Sequence, residues 1–320
     1  MAFKDVTYEG PHAEIATLTG SPLWGMSIED FTKAAVERGW YNFDDFRPDT
    51  PYGKGPVVQH FLTENGRHVI RIPSYGGVAG EDLRLRHTDH KVFWILWKAG
   101  VKVVLIGGTS GIADWRPEGQ KILPGDVVLP WSFMTHPEHR GLPGTEFESA
   151  WPKYDLLLDD PFCTQLWPLI AEEARKHSVI GSVHTPDKVH VALVIPSGIT
   201  FETTYDIQRH VVLSKMISEM FSDQPPVVTL HGDCVNPVLA RLLGMHVAYY
   251  HMVANIAQGL PMPQGIAETL YGLYQNEFVN AALKMELALL STMPIPNGDS
   301  CVCKVSLHTA PKVFAHSMTH

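Results

Sequence analysis

Charge is scarce in this chain and leans one way: 18% of its 320 residues are charged, 25 Lys and Arg against 34 Asp and Glu, a net −9 with histidine neutral. No Lys or Arg cluster could track a phosphate backbone, which argues against a nucleic-acid partner and leaves a small molecule as the expected ligand. Long apolar runs are also missing. No stretch approaches the roughly 18 residues that a membrane helix requires. The start, Met1-Ala2-Phe3-Lys4-Asp5, lacks the charged-then-apolar order of an export leader, so no membrane and a cytoplasmic location are expected. Cysteine is sparse, and Cys163, Cys234, Cys301 and Cys303 form no C-x-x-C pair, which suits a reducing compartment. The C-x-C of Cys301 and Cys303 has no second half, and His136-Pro137-Glu138-His139 lies among Pro and Gly rather than on a helix. Neither a metal nor a cofactor is therefore expected. Internal repeats and low-complexity tracts are absent.

What is present is core material: 45% hydrophobic residues, with eight Trp and thirteen Phe. One domain over 1–320 is expected, with a core from about residue 13 to 292, a C-terminal extension over 293–320, and the last fifteen or so residues weakly structured. Short apolar runs alternate with helical patterns, the mark of an α/β chain with a mixed, mostly parallel sheet between helices. Strands are predicted at Ala13–Leu18, in a hairpin of Val57–Leu62 and His68–Ile72 about Asn65-Gly66, and at Val101–Ile106, Asp126–Leu129, Val189–Ile195, Val227–Leu230 and His246–Val253. Helices are predicted after Ser27 and over Asp89–Ala99, Cys163–His177, Tyr205–Met220, Pro237–Leu243 and Ala267–Thr292. Gly107-Gly108-Thr109-Ser110-Gly111 reads as an N–H-rich loop at a strand's carboxyl end, where ligands are expected. The stretch from Trp131 to Pro161 reads as a Pro-, Gly- and His-rich excursion.

After the strand ending at Ile195, Phe201 and Glu202 follow a Gly-bearing bend. Phe201 offers a face for stacking a flat ring, and Glu202 can accept N–H bonds from that ring's edge. Thr203, Thr204 and Asp206 supply the cap of the next helix. An ordinary strand-to-helix turn with an exposed Glu is the competing reading of this segment alone.

Five segments in order and spacing resemble the purine nucleoside and methylthioadenosine phosphorylase family. Leu18-Thr19-Gly20-Ser21-Pro22-Leu23 is similar to its I-G-G-S-G-L, and Thr50-Pro51-Tyr52-Gly53 to T-P-(F/Y)-G. Leu123-Pro124-Gly125-Asp126-Val127 contains P-G-D-(I/V), and Ser197 to Asp206 resembles (A/E)-G-P-x-F-E-T-x-A-E. Val253-Ala254-Asn255-Ile256-Ala257-Gln258-Gly259 resembles I-T-N-x-A-A-G. The resemblance spans about Ile15 to Leu290. It implies a single-domain, three-layer sandwich assembled as a homo-trimer or hexamer, with Glu202 and Asn255 gripping a purine edge. An amide donating to N7 would steady the charge that builds on the base as its glycosidic bond breaks. A side chain that merely satisfies nearby backbone groups is the other reading of Asn255.

The departures from that family are informative. Its phosphate-binding Arg-His, in P-R-H-G, is replaced by Ser74-Tyr75 within Pro73-Ser74-Tyr75-Gly76, and a phosphate-binding Ser or Thr is replaced by Gly232. Ser21, Gly108 and Thr109 remain as an anion-site remnant, unless Arg71, Arg84 or Arg86 reaches in. His231 stands where the family has Met, with Asp233 two residues on, a pair that could activate water. A buried His beside a helix-capping Asp is the plain alternative. Asn276 replaces a ribose-contacting His. The substrate-binding set is thus Phe201, Glu202, Asn255, Tyr75, Ser74 and Asn276, and the catalytic set is His231, Asp233 and Asn255. The expected reaction is N-glycosidic cleavage of a purine nucleoside or similar heterocycle without phosphate. The alternatives are a non-phosphorolytic reaction on a non-nucleoside, with Trp24, Trp94 and Trp97 lining its pocket, a phosphorylase with an altered anion site, and a binding protein on the same scaffold. His251, on a strand, is expected in the core or at an interface rather than against the ligand.

Overall fold

The computed structural model describes residues 6–23, 26–73, 88–135, 160–195, 203–221, 227–231, 237–257, 277–297 and 300–303. Its first elements show how local chemistry sets them. Strand β1 (Ile15–Thr17) leads through a single 3-10 turn, Ser21–Leu23, to helix α1 (Ile28–Glu37). Ser27 caps α1 by accepting from the Asp30 N–H, while the Asp30 carboxylate accepts from Ser27 N, a reciprocal box that satisfies two otherwise unpaired donors. Short strands β2 (Tyr41–Asn42), β3 (Asp49–Thr50) and β4 (Gly53–Lys54) precede the predicted hairpin. That hairpin forms as β5 (Gln59–Leu62) and β6 (His68–Arg71), antiparallel, with Gly66 at a φ of 74° that a side chain would resist.

Helix α2 (Thr88–Lys98) then feeds the central strand β7 (Val103–Ala113). After it come β8 (Val127–Val128), β9 (Ser132–Thr135), α3 (Trp167–Arg175), β10 (Val183–His184), β11 (Val191–Ile195), α4 (Thr204–Phe221), β12 (Val227–His231), α5 (Pro237–Leu242), β13 (His246–Ile256) and α6 (Glu277–Thr292). The main sheet has the order β10-β8-β13-β7-β1-β6-β5-β2, and β12, β11 and β9 extend it from the far half of β7. Most of its pairings are parallel, with β12 and β8 running against their neighbours β7 and β13. Alternation along β7 sends Val104 and Ile106 to a core shared with α2 and α5, and Val103 and Leu105 to one shared with α1, α3 and α6. That gives the expected α/β sandwich of three layers with a mixed sheet.

Three expectations need correction. Gly107 to Gly111 is not a loop: β7 runs straight through it in register with β13, pairing His251 with Gly108 and Met252 with Thr109. Glycine is required there by packing, because a Cβ on Gly107 would sit 2.5 Å from the Tyr250 ring and 2.8 Å from Thr19 Cγ2. The excursion after Trp131 begins as strand, since β9 adds to β11. The chain after 292 is also more than an appendage, because Cys301 and Cys303 are buried in the core beside α6. Trp94 is buried in the core and Trp97 packs, half-buried, against the same core; Trp24 lies outside the described residues. His251 is fully buried and stacks on Tyr249, as expected.

Candidate active site

Strand β7 changes partner along one edge. Over Val103 to Leu105 it pairs with β1, and over Ser110 to Ala113 with β12 running the opposite way. Between them the Gly107 carbonyl oxygen accepts from the Gly20 N–H at 3.0 Å. The carboxyl ends of β1 and β12 therefore face each other across this gap, and β6 and β11, parallel to those two, end toward it as well. A gap of this kind, where neighbouring strands diverge, is where open α/β sheets hold ligands.

The topology places several predicted residues around it. His231, the last residue of β12, is in register with Ser110, and Asn255 on β13 is in register with Gly111 on the other side of β7. Two strand spacings put the backbones of 231 and 255 about 10 Å apart. Asn255 lies within β13 rather than beyond it, just after an irregularity between Val253 and Asn255. It is half-buried, and its amide donates to the Ile256 carbonyl at 2.8 Å, so the backbone-satisfying role is real; the second N–H has no partner among the described residues. Gly111 makes room for it, since a Cβ there would stand 3.1 Å from Asn255 Nδ2. Ser110, missed from sequence, is 3% exposed, and its hydroxyl has no hydrogen-bond partner among the described residues. Its place inside an apparent glycine loop hid it.

Gly108 and Thr109 line the open stretch of β7, and Ser21 opens the 3-10 turn beyond Gly20. Thr19 Oγ1 accepts from the Gly107 N–H at 3.1 Å, and Thr17 Oγ1 donates to the buried Glu286 at 2.6 Å. Burial holds the Glu286 carboxyl above its usual range against the pull of those hydroxyls and of Arg71. Arg71 does not serve the gap. It is 3% exposed, donates to Gln59 Oε1 and lies over the Phe31 ring, 4.1 Å from its centroid; burial lowers its pKa to about 10. Ser74, Tyr75, Arg84, Arg86, Phe201, Glu202, Asp233 and Asn276 lie outside the described residues. The helix after Glu202 begins as predicted: Thr203 Oγ1 accepts from Asp206 N at 3.3 Å, and Asp206 Oδ2 accepts from Thr203 N at 3.1 Å.

Behind the site, Asp126 of the P-G-D segment clamps the turn into β8. Its carboxylate accepts from Leu123 N at 2.9 Å, Ser182 N at 2.7 Å and His184 Nε2 at 2.9 Å. Burial would raise its pKa, but these bonds outweigh it and hold the group below the usual carboxylate range. A groove of about 940 Å³ between α1, α3 and α6 lies on the helical layer, away from the strand ends.

No known family profile matches the sequence, and no curated protein does. Solved structures match the fold. A methylthioadenosine phosphorylase from an Antarctic soil metagenomic library superposes with a TM-score of 0.67 at 16% identity, covering 93% of this chain and 92% of that one. Methylthioadenosine phosphorylase from Schistosoma mansoni matches in complex with adenine (TM-score 0.65, 14% identity, 94% and 98% covered) and with tubercidin (0.62, 15%, 96% and 98%). The chain therefore has the nucleoside phosphorylase fold.

Proposed function

We propose that this protein cleaves the N-glycosidic bond of a purine nucleoside, or of a closely similar heterocycle, with water as the acceptor. The C1′–N9 electron pair moves onto the purine, where Asn255 donates to N7 and Glu202 accepts from the base edge, with Phe201 stacked on its face. Water attacks C1′ and its proton passes to His231, which Asp233 steadies; the departing purine anion takes up a proton from solvent, His231 returns its own to solvent, and the products are free base and free sugar. Neighbours of the same fold bind adenine and tubercidin, which supports a purine-sized ligand. The observation that carries the choice of water is Arg71: the cation nearest the missing Arg-His in sequence is turned into the core, onto Gln59 and Phe31. Phosphorolysis is the second reading, favoured by the names of those same neighbours. The test is chromatography after incubation with inosine, guanosine and methylthioadenosine. Release of base from at least one supports nucleoside cleavage, and release from none overturns it.

The working unit in this reading is a homo-oligomer, a trimer or hexamer, of a cytoplasmic enzyme. Helix α4, which follows Glu202, exposes Tyr205, Val212, Met216 and Met220 along one side while Ile207 and Val211 pack inward. Among the described residues, no helix is long and apolar enough to cross a membrane.

A further inference from the structure

At the opposite end of β13 from Asn255, the fold assembles a second cluster. Cys163 lies just before α3, His246 opens β13, and Cys301 and Cys303 occupy a turn after α6. All four are buried, and one donor atom from each lies within 4.8 Å of every other. The sulfur–nitrogen contacts have the length of a coordination polyhedron's edges, and the sulfur–sulfur contact is somewhat shorter. Cys163 Sγ and Cys301 Sγ are each 3.6 Å from His246 Nδ1, and the two sulfurs are 3.4 Å apart. Tetrahedral zinc, with Zn–S of about 2.3 Å and Zn–N of about 2.0–2.1 Å, sets S···N edges of about 3.5 Å and S···S edges of about 3.8 Å. The sulfurs are too far apart for a disulfide, whose S–S bond is about 2.05 Å, and none of the three cysteines is disulfide-bonded.

The surroundings suit bound thiolates. Arg241, 1% exposed, donates through Nη1 to Cys303 Sγ at 2.9 Å, and the same nitrogen is held by the Asp160 and Pro161 carbonyls at 3.1 and 3.3 Å. The Cys303 N–H points at Cys301 Sγ from 3.5 Å. Backbone bonds fix the ligand-bearing residues from outside: Cys163 N donates to Val247 O at 2.9 Å and His246 N to Lys102 O at 2.7 Å. Charge balances as well, since a divalent ion with three thiolates and a neutral imidazole carries −1, which the Arg241 guanidinium offsets.

We propose that Cys163, His246, Cys301 and Cys303 bind a structural zinc ion that staples the C-terminal turn to the base of the sheet. Binding releases three thiol protons to solvent, and His246 ligates through Nδ1 with its proton on Nε2. Four protein ligands close the coordination sphere and leave no position for substrate. The site is structural also by location: nine residue steps along β13 lead from His246 to Asn255, about 30 Å of extended chain. The half-site missing beside Cys301-Val302-Cys303 is supplied from residues 138 and 55 positions upstream of Cys301. The C-x-C pair is thus one half of a complete Cys3His set.

The test uses the full chain purified under reducing conditions without chelator. Elemental analysis is expected to give about one zinc per chain, and the Cys301→Ser, Cys303→Ser double variant less than a tenth of that. Should the variant fail to fold, wild-type protein stripped of metal and titrated with Co²⁺ gives the answer: intense visible bands of tetrahedral cobalt with thiolate-to-metal absorption, saturating at one equivalent, support the site. Absence of zinc together with absence of those bands overturns it. So does a Cys163–Cys301 disulfide found by mass spectrometry in the protein as purified.

Discussion

Asn255 has two amide hydrogens, and the Ile256 carbonyl takes one. The other is the group that distinguishes a structural side chain from one that acts on substrate. Asn255→Ala is expected to lower kcat by about 10²-fold or more, the usual cost of removing a donor aimed at developing charge. Its stability loss should stay near the roughly 1 kcal/mol of one hydrogen bond. A variant with unchanged kcat and a lower melting temperature would return Asn255 to a structural role. Glu202→Ala belongs with it, and retained purine turnover there would remove the base-edge contact. Asp126 makes a different prediction. Its folded pKa is depressed, so it contributes stability above the unfolded carboxylate pKa near 4, and that contribution disappears as pH falls through the lower folded value. Asp126→Asn is expected to cost about 1–3 kcal/mol at pH 7, and the two stability curves should converge in acid. Unfolding curves that keep a constant gap from pH 7 to pH 3 would contradict this.

Among the elements, β7 shows how far a local pattern reads true. Val103 to Ile106 is apolar and mostly β-branched, and the sequence marks it as a strand. Gly107-Gly108 then looks like a stop, because glycine disfavours strands when judged alone. The strand continues because β13 pairs with it from Val103 to Ile112 and because the Tyr250 ring fills the space that a side chain would need. The hairpin at Asn65-Gly66 and the caps at Ser27 and Thr203 were legible because their information lies within a few residues. Helix α4 carries the element-scale prediction. Tyr205 is 77% exposed and Met220 65%, a wide apolar side for a helix that also packs on the sheet. Light scattering after size exclusion should find a trimer or a hexamer, and Met216→Lys should shift the population toward smaller species. A wild-type monomer at micromolar concentration would rule the interface out.

For the whole molecule, the layered α/β plan followed from alternating strand and helix patterns, and the order of five short motifs pointed to the fold that the solved structures share. The crossing of β12 against β7 was not legible, since nothing local in Val227 to Leu230 sets its direction. The Cys3His cluster was equally hidden, because its members meet only once α3, β13 and the final turn are packed. The candidate site falls between these cases: candidates for it could be named from the sequence, while the placement of His231 and Asn255 on either side of β7 depends on how β12 and β13 pair with that strand. The measurement that tests the functional account most directly is the identity of the sugar released from a cleaved purine nucleoside in phosphate buffer, read by phosphorus and proton NMR. Free ribose, with no new phosphorus resonance, is the predicted result. Ribose 1-phosphate as the product would contradict it.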